Sequence, residues 1–325
     1  MRESLHRYAV LTALATWILL LAGGLVTSTD SGLAVPDWPL SYGTWFPPMV
    51  GGIRYEHSHR MIAGAVALMI LALAVWLASA ESRRWVRRLG FAALAAVILQ
   101  ALLGGLTVLL LLPPQISIAH AVLGQAVFCL AVCLAWCTSP AWPDRVRPIE
   151  DDRRPSLRLL ALLAAALAAG QLVLGAVIRH TGYAVLAHVL GALMLLVSVS
   201  WLAARARAQR ERTPSVRRFA WRLMWLVAAQ AIVGASVFIH RGSTVLRTGH
   251  AALGALVLAQ AVLTAWEAVR RYARSTDSAA LHPAPRRSPT CQGRKEGRGD
   301  PTEGLPGAAG VDPWGGVRTR VEAAS

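Results

Sequence analysis

A chain of 325 residues that is 55% apolar and only 15% charged, with mean hydropathy +0.47, departs from the roughly 25% charge of soluble domains. Its formal charge of +16, from 33 Lys and Arg against 17 Asp and Glu, must then sit between long apolar segments. These facts exclude a soluble enzyme, a collagen-like fibre and a disulfide-stapled secreted domain, and they imply a polytopic membrane protein.

In chain order, apolar stretches long enough to cross a hydrocarbon core of about 30 Å fall near 8–28, 56–79, 89–112, 117–137, 157–178, 184–204, 219–240 and 245–268. The first run is too long for a cleaved signal peptide, and further runs follow it. The expected fold class is therefore all-α, with eight transmembrane helices arranged as two pseudo-repeated four-helix bundles. The expected boundaries are 1–140 for the first half, 141–156 for a linker and 157–272 for the second half. Residues 273–325, rich in Pro, Gly and Arg with almost no apolar period, read as a disordered tail.

Of the 33 Lys and Arg, 28 lie at the N-terminus, in the 2–3, 4–5 and 6–7 connections and in the tail. Arg54, Arg60, Arg179, Arg241 and Arg247 lie on the opposite side. The positive-inside rule then predicts a multi-pass protein of the cell's inner (plasma) membrane with both termini cytoplasmic. Trp76, Trp136, Trp201 and Trp266, near the cytoplasmic ends of the even-numbered spans, form the expected interfacial belt. Positive charge spread over loops, rather than gathered on one face, excludes nucleic acid as a partner.

The spans repeat one another. QALLGG (100–105), QLVLGA (171–176) and QAIVGA (230–235) in odd-numbered spans are followed by HAVLG (120–124), HVLG (188–191) and HAALG (250–254). The Gln-to-His separations are 20, 17 and 20 residues, and EHSHRMIAG (56–64) opens span 2 as a fourth variant. His59, His120, His188 and His250 precede their cytoplasmic Trp by 13 to 17 residues. At about 1.5 Å per residue, that places all four in the outer part of the bilayer. One histidine in a membrane helix often serves only to hydrogen-bond between helices. Four in register, each leading into a small residue (Gly124, Gly191, Gly254), form a constellation. Those glycines allow close helix packing, or equally leave room for a flat macrocycle.

Zinc favours tetrahedral sites often completed by Cys or carboxylate, and no Cys lies at this level. Two imidazoles per half fit axial ligation of a porphyrin iron better, giving one haem site in each half. The outer arginines lie close to histidines in sequence and are candidate partners for haem propionates, since Arg binds carboxylates with a planar fork. Snorkelling to phospholipid is the alternative for each of them. His180 and His240, in the matching contexts VIRHTG and VFIHRG, read as propionate or water partners rather than iron ligands.

Glu56 is the carboxylate at the mouth of an even-numbered span, on the same helical face as His59; His57 points away and is the weaker ligand candidate. A carboxylate at a haem edge can act as a base, orient water or stabilise positive charge. A structural pair with Arg60, four residues on, is the alternative. Cys129, Cys133 and Cys137 read as small packing residues of span 4, and Cys291 lies in the tail. The first outer loop, 27–48, with Trp38, Tyr42 and Trp45, is either a lid or docking surface, or an interfacial anchor.

GGLVTSTDSGLAVPDWP (23–39), EHSHR (56–60) and the later helix-start histidines resemble the haem A synthase family of cytochrome oxidase biogenesis, over roughly residues 8–270. The resemblance implies an eight-helix protein that oxidises a ring methyl of haem O to a formyl group, giving haem A. It also implies that His59 and His120 hold the substrate haem, that His188 and His250 ligate the iron of a haem b cofactor, and that Glu56 is catalytic. Some members carry a Cys pair in the first outer loop, where this chain has Val35 and Ser41, so a loop-thiol mechanism is not expected here. Expected partners are haem O, the lipid bilayer, a haem O synthase, cytochrome oxidase assembly factors and a second copy of the chain. The alternative functions are a bis-His dihaem electron-transfer protein of cytochrome b type and a haem carrier or chaperone.

Overall fold

A computed structural model describes residues 2–143, 146, 148–151, 153–209 and 213–272. The tail expected at 273–325, with Cys291, lies outside the described residues. Among these residues every regular element is an α-helix: α1 (Arg2–Ser28), α2 (Ile53–Ala80), α3 (Arg84–Leu109), α4 (Pro114–Thr138), α5 (Leu157–Thr181), α6 (Val185–Ala208), α7 (Pro214–Ile239) and α8 (Thr244–Arg271). All eight are long and apolar enough to cross a membrane. The protein is thus an all-α, multi-pass membrane protein.

The helices run past the apolar stretches, chiefly at their Arg-rich ends: α1, α3 and α7 start at Arg2, Arg84 and Pro214, and α8 continues to Arg271. Hydropathy marks the hydrocarbon, whereas a helix continues through the headgroup layer while its arginines snorkel out. Local chemistry sets several ends. Ser156 and Ser243 cap α5 and α8 by accepting from the Leu159 and Leu246 amides. Proline opens α4 and α7. Gly182, at φ 76°, closes α5 in a left-handed turn.

Helices α1 to α4 pack in a ring, each on the next and α4 back on α1, and α5 to α8 do the same. The two rings meet where α1 packs on α8 and where α4 packs on α5 and α8. Leu5, Ile70, Leu73, Leu77 and Leu134 fill the first ring, and Leu157, Leu160, Leu202 and Leu223 the second. Phe128, Ala255 and Ala259 fill the seam between α4 and α8, and Trp17 Nε1 donates to the Ala252 carbonyl at 3.1 Å across the α1–α8 contact. Outward positions such as Leu68, Val197, Trp225 and Ile232 are exposed and apolar. Faces of this extent would promote association in water, and they suit lipid.

At the Arg-rich end Trp85, Trp136, Trp142 and Trp266 stack edge-on or tilted, and the Arg270 guanidinium lies 3.6 Å above the Trp142 ring. Trp76 stacks on Tyr8, while Trp201 faces outward. Cys129, Cys133 and Cys137 are free thiols on α4, the last two buried.

Candidate functional site

The four histidines occupy equivalent places. His59, His120 and His250 are the seventh residues of α2, α4 and α8, and His188 is the fourth of α6. Each ring thus receives two imidazoles from diagonally opposite helices, at the end remote from the tryptophan cluster.

A glycine of the preceding helix lies against each imidazole. A Cβ at Gly23, Gly104, Gly175 or Gly234 would come within 3.0, 3.0, 3.5 or 2.9 Å of Cε1 of His59, His120, His188 or His250. At three of the four, even alanine would force the ring to move. Glycine is required there by close approach, not by backbone conformation.

The 20-residue spacing of Gln and His in two of the repeats has an equally direct cause. Gln100 Nε2 donates to the His120 carbonyl at 2.9 Å and lies 3.4 Å from His120 Nε2. Gln230 repeats this at His250, at 3.0 and 3.3 Å. The glycines after the histidines serve these glutamines: a Cβ on Gly124, Gly191 or Gly254 would meet the amide of Gln100, Gln171 or Gln230. Of the two uses read from the sequence for these glycines, the contact is one of close helix packing. Each makes room for a glutamine, and the imidazoles rest on a different set of glycines.

In the second ring His188 and His250 have centroids 6.3 Å apart with planes at 71°. Two imidazoles sharing one metal, at about 2 Å per metal–nitrogen bond, place their centroids about 6 Å apart. Nδ1 of all four histidines is buried without a hydrogen-bond partner, a costly arrangement unless another group completes it. Among the described residues no three His, Cys, Asp or Glu side chains gather as a metal site, so a tetrahedral zinc set is absent there. Paired imidazoles cradled on glycine fit a haem.

Glu56 is buried three residues before His59. Its Oε1 accepts from Arg60 Nη2 at 2.5 Å, and its Oε2 accepts from the Val35 amide at 2.8 Å. Arg60 also donates to the carbonyls of Asp37, Leu40 and Val35 at 2.6, 2.8 and 3.2 Å. The structural pair weighed in the sequence is thus present, and it does more than link two side chains. It pins the loop of residues 27–48 at the histidine-bearing end of the first ring. Val35 and Ser41 are both buried, and the Ser41 hydroxyl pairs with His57 Nδ1 at 2.9 Å. His57 is therefore turned into the loop. The Trp38 ring lies on α3 at Gly105, beside the Gly104 that carries His120.

The remaining arginines at the histidine-bearing end divide into two kinds. Arg54 and Arg241 stack on their neighbours Tyr55 and Phe238 at the surface. Arg179 and Arg247 are turned inward onto the end of α1. Arg179 donates to the Gly24 carbonyl at 2.9 Å and to the Ser28 hydroxyl at 2.6 Å, and Arg247 donates to the Ser28 carbonyl at 2.9 Å. Thr248 adds a 3.0 Å bond to the same hydroxyl. Two cations at a helix C-terminus are favourably placed against its dipole. The buried Nε of Arg247 has no partner. His180 is half-buried and His240 is exposed at the end of α7. Ser28, Gln100 and Gln230 were not read as site residues; for the glutamines, the repeated Gln-to-Gly step was the available signal.

With this geometry in view, the chain was compared with known proteins. The profile of the cytochrome oxidase assembly protein family matches residues 53–188, from the start of α2 through His188. A protein named "Heme A synthase" from Alkalihalophilus pseudofirmus is 40% identical over 108 residues, 32% of this chain and 36% of its own length. One of the same name from Bacillus pumilus is 30% identical over 187 residues, 56% of this chain and 60% of its own length. A third, from Symbiobacterium thermophilum, is 29% identical over 257 residues, 68% and 82% of the two chains. The chain is thus similar to cytochrome oxidase assembly proteins over residues 53–188 and to proteins named "Heme A synthase" over as many as 257 residues. It spans about a third to three-fifths of the length of the first relatives it matches. The segment matched by the family profile contains Glu56, His59, His120 and His188; His250 lies beyond it.

Proposed function

We propose that this protein is a haem A synthase, a membrane oxidoreductase that converts a ring methyl of haem O to the formyl group of haem A for cytochrome oxidase. The observation that carries this reading is the paired-imidazole cradle present in both rings, with His188 and His250 at 6.3 Å. His59 and His120 hold the substrate haem O in the first ring. His188 and His250 hold a haem b in the second, which when bound supplies one-electron exchange for the oxidation.

The protein's own contribution is to bind, orient and exclude water. Gly104 and Gly23 set the imidazoles of the first ring, and the loop fixed by Arg60 roofs the entrance. Turning a methyl into a formyl adds one oxygen atom and removes protons as well as electrons (in net terms the methyl plus water gives the formyl, four protons and four electrons), so a proton acceptor is needed at the reacting carbon. Glu56 is the carboxylate placed for that task. Its two oxygens offer more lone pairs than the Arg60 and Val35 donors occupy. Arg247, with its partnerless Nε three residues before His250, is the best placed propionate partner; Arg54, Arg60, Arg179 and Arg241 remain candidates. The sites face the extracytoplasmic side, with both termini cytoplasmic, and haem O comes from the enzyme that makes it.

The test is to express the full chain beside a haem O source and to extract the pigments for mass analysis. Haem A in the extract supports the synthase. Haem O and haem b without haem A would support a carrier or a dihaem electron-transfer protein instead, and a haem-free preparation would remove every haem reading.

A further inference from the structure

Three of the four histidine modules carry a glutamine at one place, and the first does not. Gln100 and Gln230 each bind the carbonyl of their histidine and meet its Nε2, and Gln171 packs its amide on Gly191 beside His188. Each of these glutamines lies four residues before the glycine beneath its imidazole. In the first module that glycine is Gly23, and four residues earlier stands Leu19. The opposing position is altered to match. In the other three modules a glycine three or four residues after the histidine (Gly124, Gly191, Gly254) admits the glutamine, whereas Ile62 and Ala63 stand at those places after His59.

The physical consequence is a difference in restraint. An amide that holds both the backbone and the ring nitrogen of one residue fixes the imidazole's rotation and its helical turn together. A leucine can pack against the ring but cannot donate. His59 therefore has the glycine cradle without the polar clamp, and it also shares its helix turn with Glu56 and Arg60. A ring that must admit substrate and release product needs one ligand that lets go, whereas a resident group needs none.

We propose that Gln100 and Gln230 are positioning residues that clamp His120 and His250, and that His59 is the exchangeable ligand of the first ring. The proposal rests on the haem reading of the four histidines and adds to it a division of labour among them. His120 would stay as the fixed arm, and His59 would open to load haem O and to discharge the product.

The experiment follows haem release rather than turnover. Full-length protein purified in detergent is loaded with haem b, and transfer to excess apomyoglobin is followed optically. The wild type should release haem in two phases, a fast one from the first ring and a slow one from the second. Gln100→Leu should accelerate the fast phase and Gln230→Leu the slow one, each about fivefold, the scale of one lost hydrogen bond. Leucine is chosen because the first module already accommodates it at this place. The reciprocal double variant, Leu19→Gln with Ala63→Gly, should slow the fast phase by a similar factor, and it decides the question even if a glutamine variant fails to fold. Release rates unchanged in all three variants, or a slow phase that responds to position 19, would overturn the clamp. A wild-type protein that takes up no haem with a low-spin bis-imidazole spectrum would instead overturn the haem reading itself, so the two failures are distinguishable.

Discussion

The histidine-bearing ends of the two rings share one cradle and differ in nearly everything around it. Three residues before the histidine of α2 stands Glu56, whereas at the corresponding place in α6 stands Val185. Above the first ring lies a folded loop held by Arg60; above the second, α5 passes to α6 through residues 182–184 alone. The backbone reflects the same division. Gly104 is followed by Gly105, on which Trp38 rests, while Gly175 and Gly234 are followed by Ala176 and Ala235. Holding an aromatic metal complex needs only histidine on glycine. Under the proposed function, acting on it needs an acid, a roof and a second glycine to seat the roof, and among the described residues Glu56, the loop held by Arg60 and Gly105 supply these at the first ring.

Glu56→Gln breaks the comparison most sharply, because it removes from the first ring the carboxylate that the second never had. Glutamine retains an oxygen for the Val35 amide, so the loop and the histidines should stay in place. Haem A formation should fall by about two orders of magnitude or more, the scale of a lost acid or base, with haem content unchanged. Pigment extraction with mass detection reads both quantities together. Normal haem A from this variant would leave Glu56 as a loop pin alone.

Arg60→Leu attacks the roof. It strands a buried carboxylate without its partner and releases the three carbonyls of Val35, Asp37 and Leu40. Removing one partner of a buried pair costs about 3–5 kcal/mol. Hydrogen exchange should rise across residues 34–43, and thermal unfolding in detergent should move down. The second ring should keep its protection; equal loss in both rings would mean that Arg60 stabilises the whole bundle rather than the loop.

What the sequence made legible follows the same line. The eight spans could be read because lipid demands about 20 apolar residues whatever lies beside them. The register of His59, His120, His188 and His250 could be read because a repeat shows itself by spacing. The loop could not be read from 27–48. Its fold is set by Arg60 reaching back 20 to 25 residues to backbone carbonyls, which leave no mark in the side-chain pattern. The double glycine of QALLGG was visible, yet its two uses, one beneath His120 and one beneath Trp38, appear only once the loop is in place. Ser28 was silent for the same reason. One hydroxyl and one carbonyl at the end of α1 gather Arg179, Arg247 and Thr248 from distant helices.

Gly105→Ala sharpens the comparison at lower cost, since it gives α3 the alanine that α5 and α7 already carry. The added methyl would meet Trp38 at 2.7 Å, so the ring must lift from the helix. Overpacking of this kind costs about 1–3 kcal/mol, offset in part by the better helix propensity of alanine. Trp38 should become more accessible to an aqueous quencher while α3 itself gains protection. The same change at Gly104 should disturb His120 instead, which separates the roof from the cradle.

The smallest effect expected is that of pH on the loop. Asp37 accepts the amides of Gly43 and Tyr42 at 2.8 and 2.7 Å, and these bonds, Gly43 first, hold its carboxyl below the ordinary carboxylate range. A carboxylate with a depressed folded value adds stability that is complete above its unfolded value, near 4, and is lost as pH falls through the lower folded one. The turn at 37–43 should therefore loosen only below about pH 4, and the change should be slight because Asp37 is close to solvent. Tryptophan emission from the loop, followed from pH 7 to pH 3, should stay flat and then shift at the acid end, and Asp37→Asn should abolish that shift. Residues 182–184, which join α5 to α6, contain no carboxylate, so hydrogen exchange there should pass through the same range unchanged. A loop transition near neutral pH would place its control on a histidine, with His57 and its Ser41 partner the first to replace.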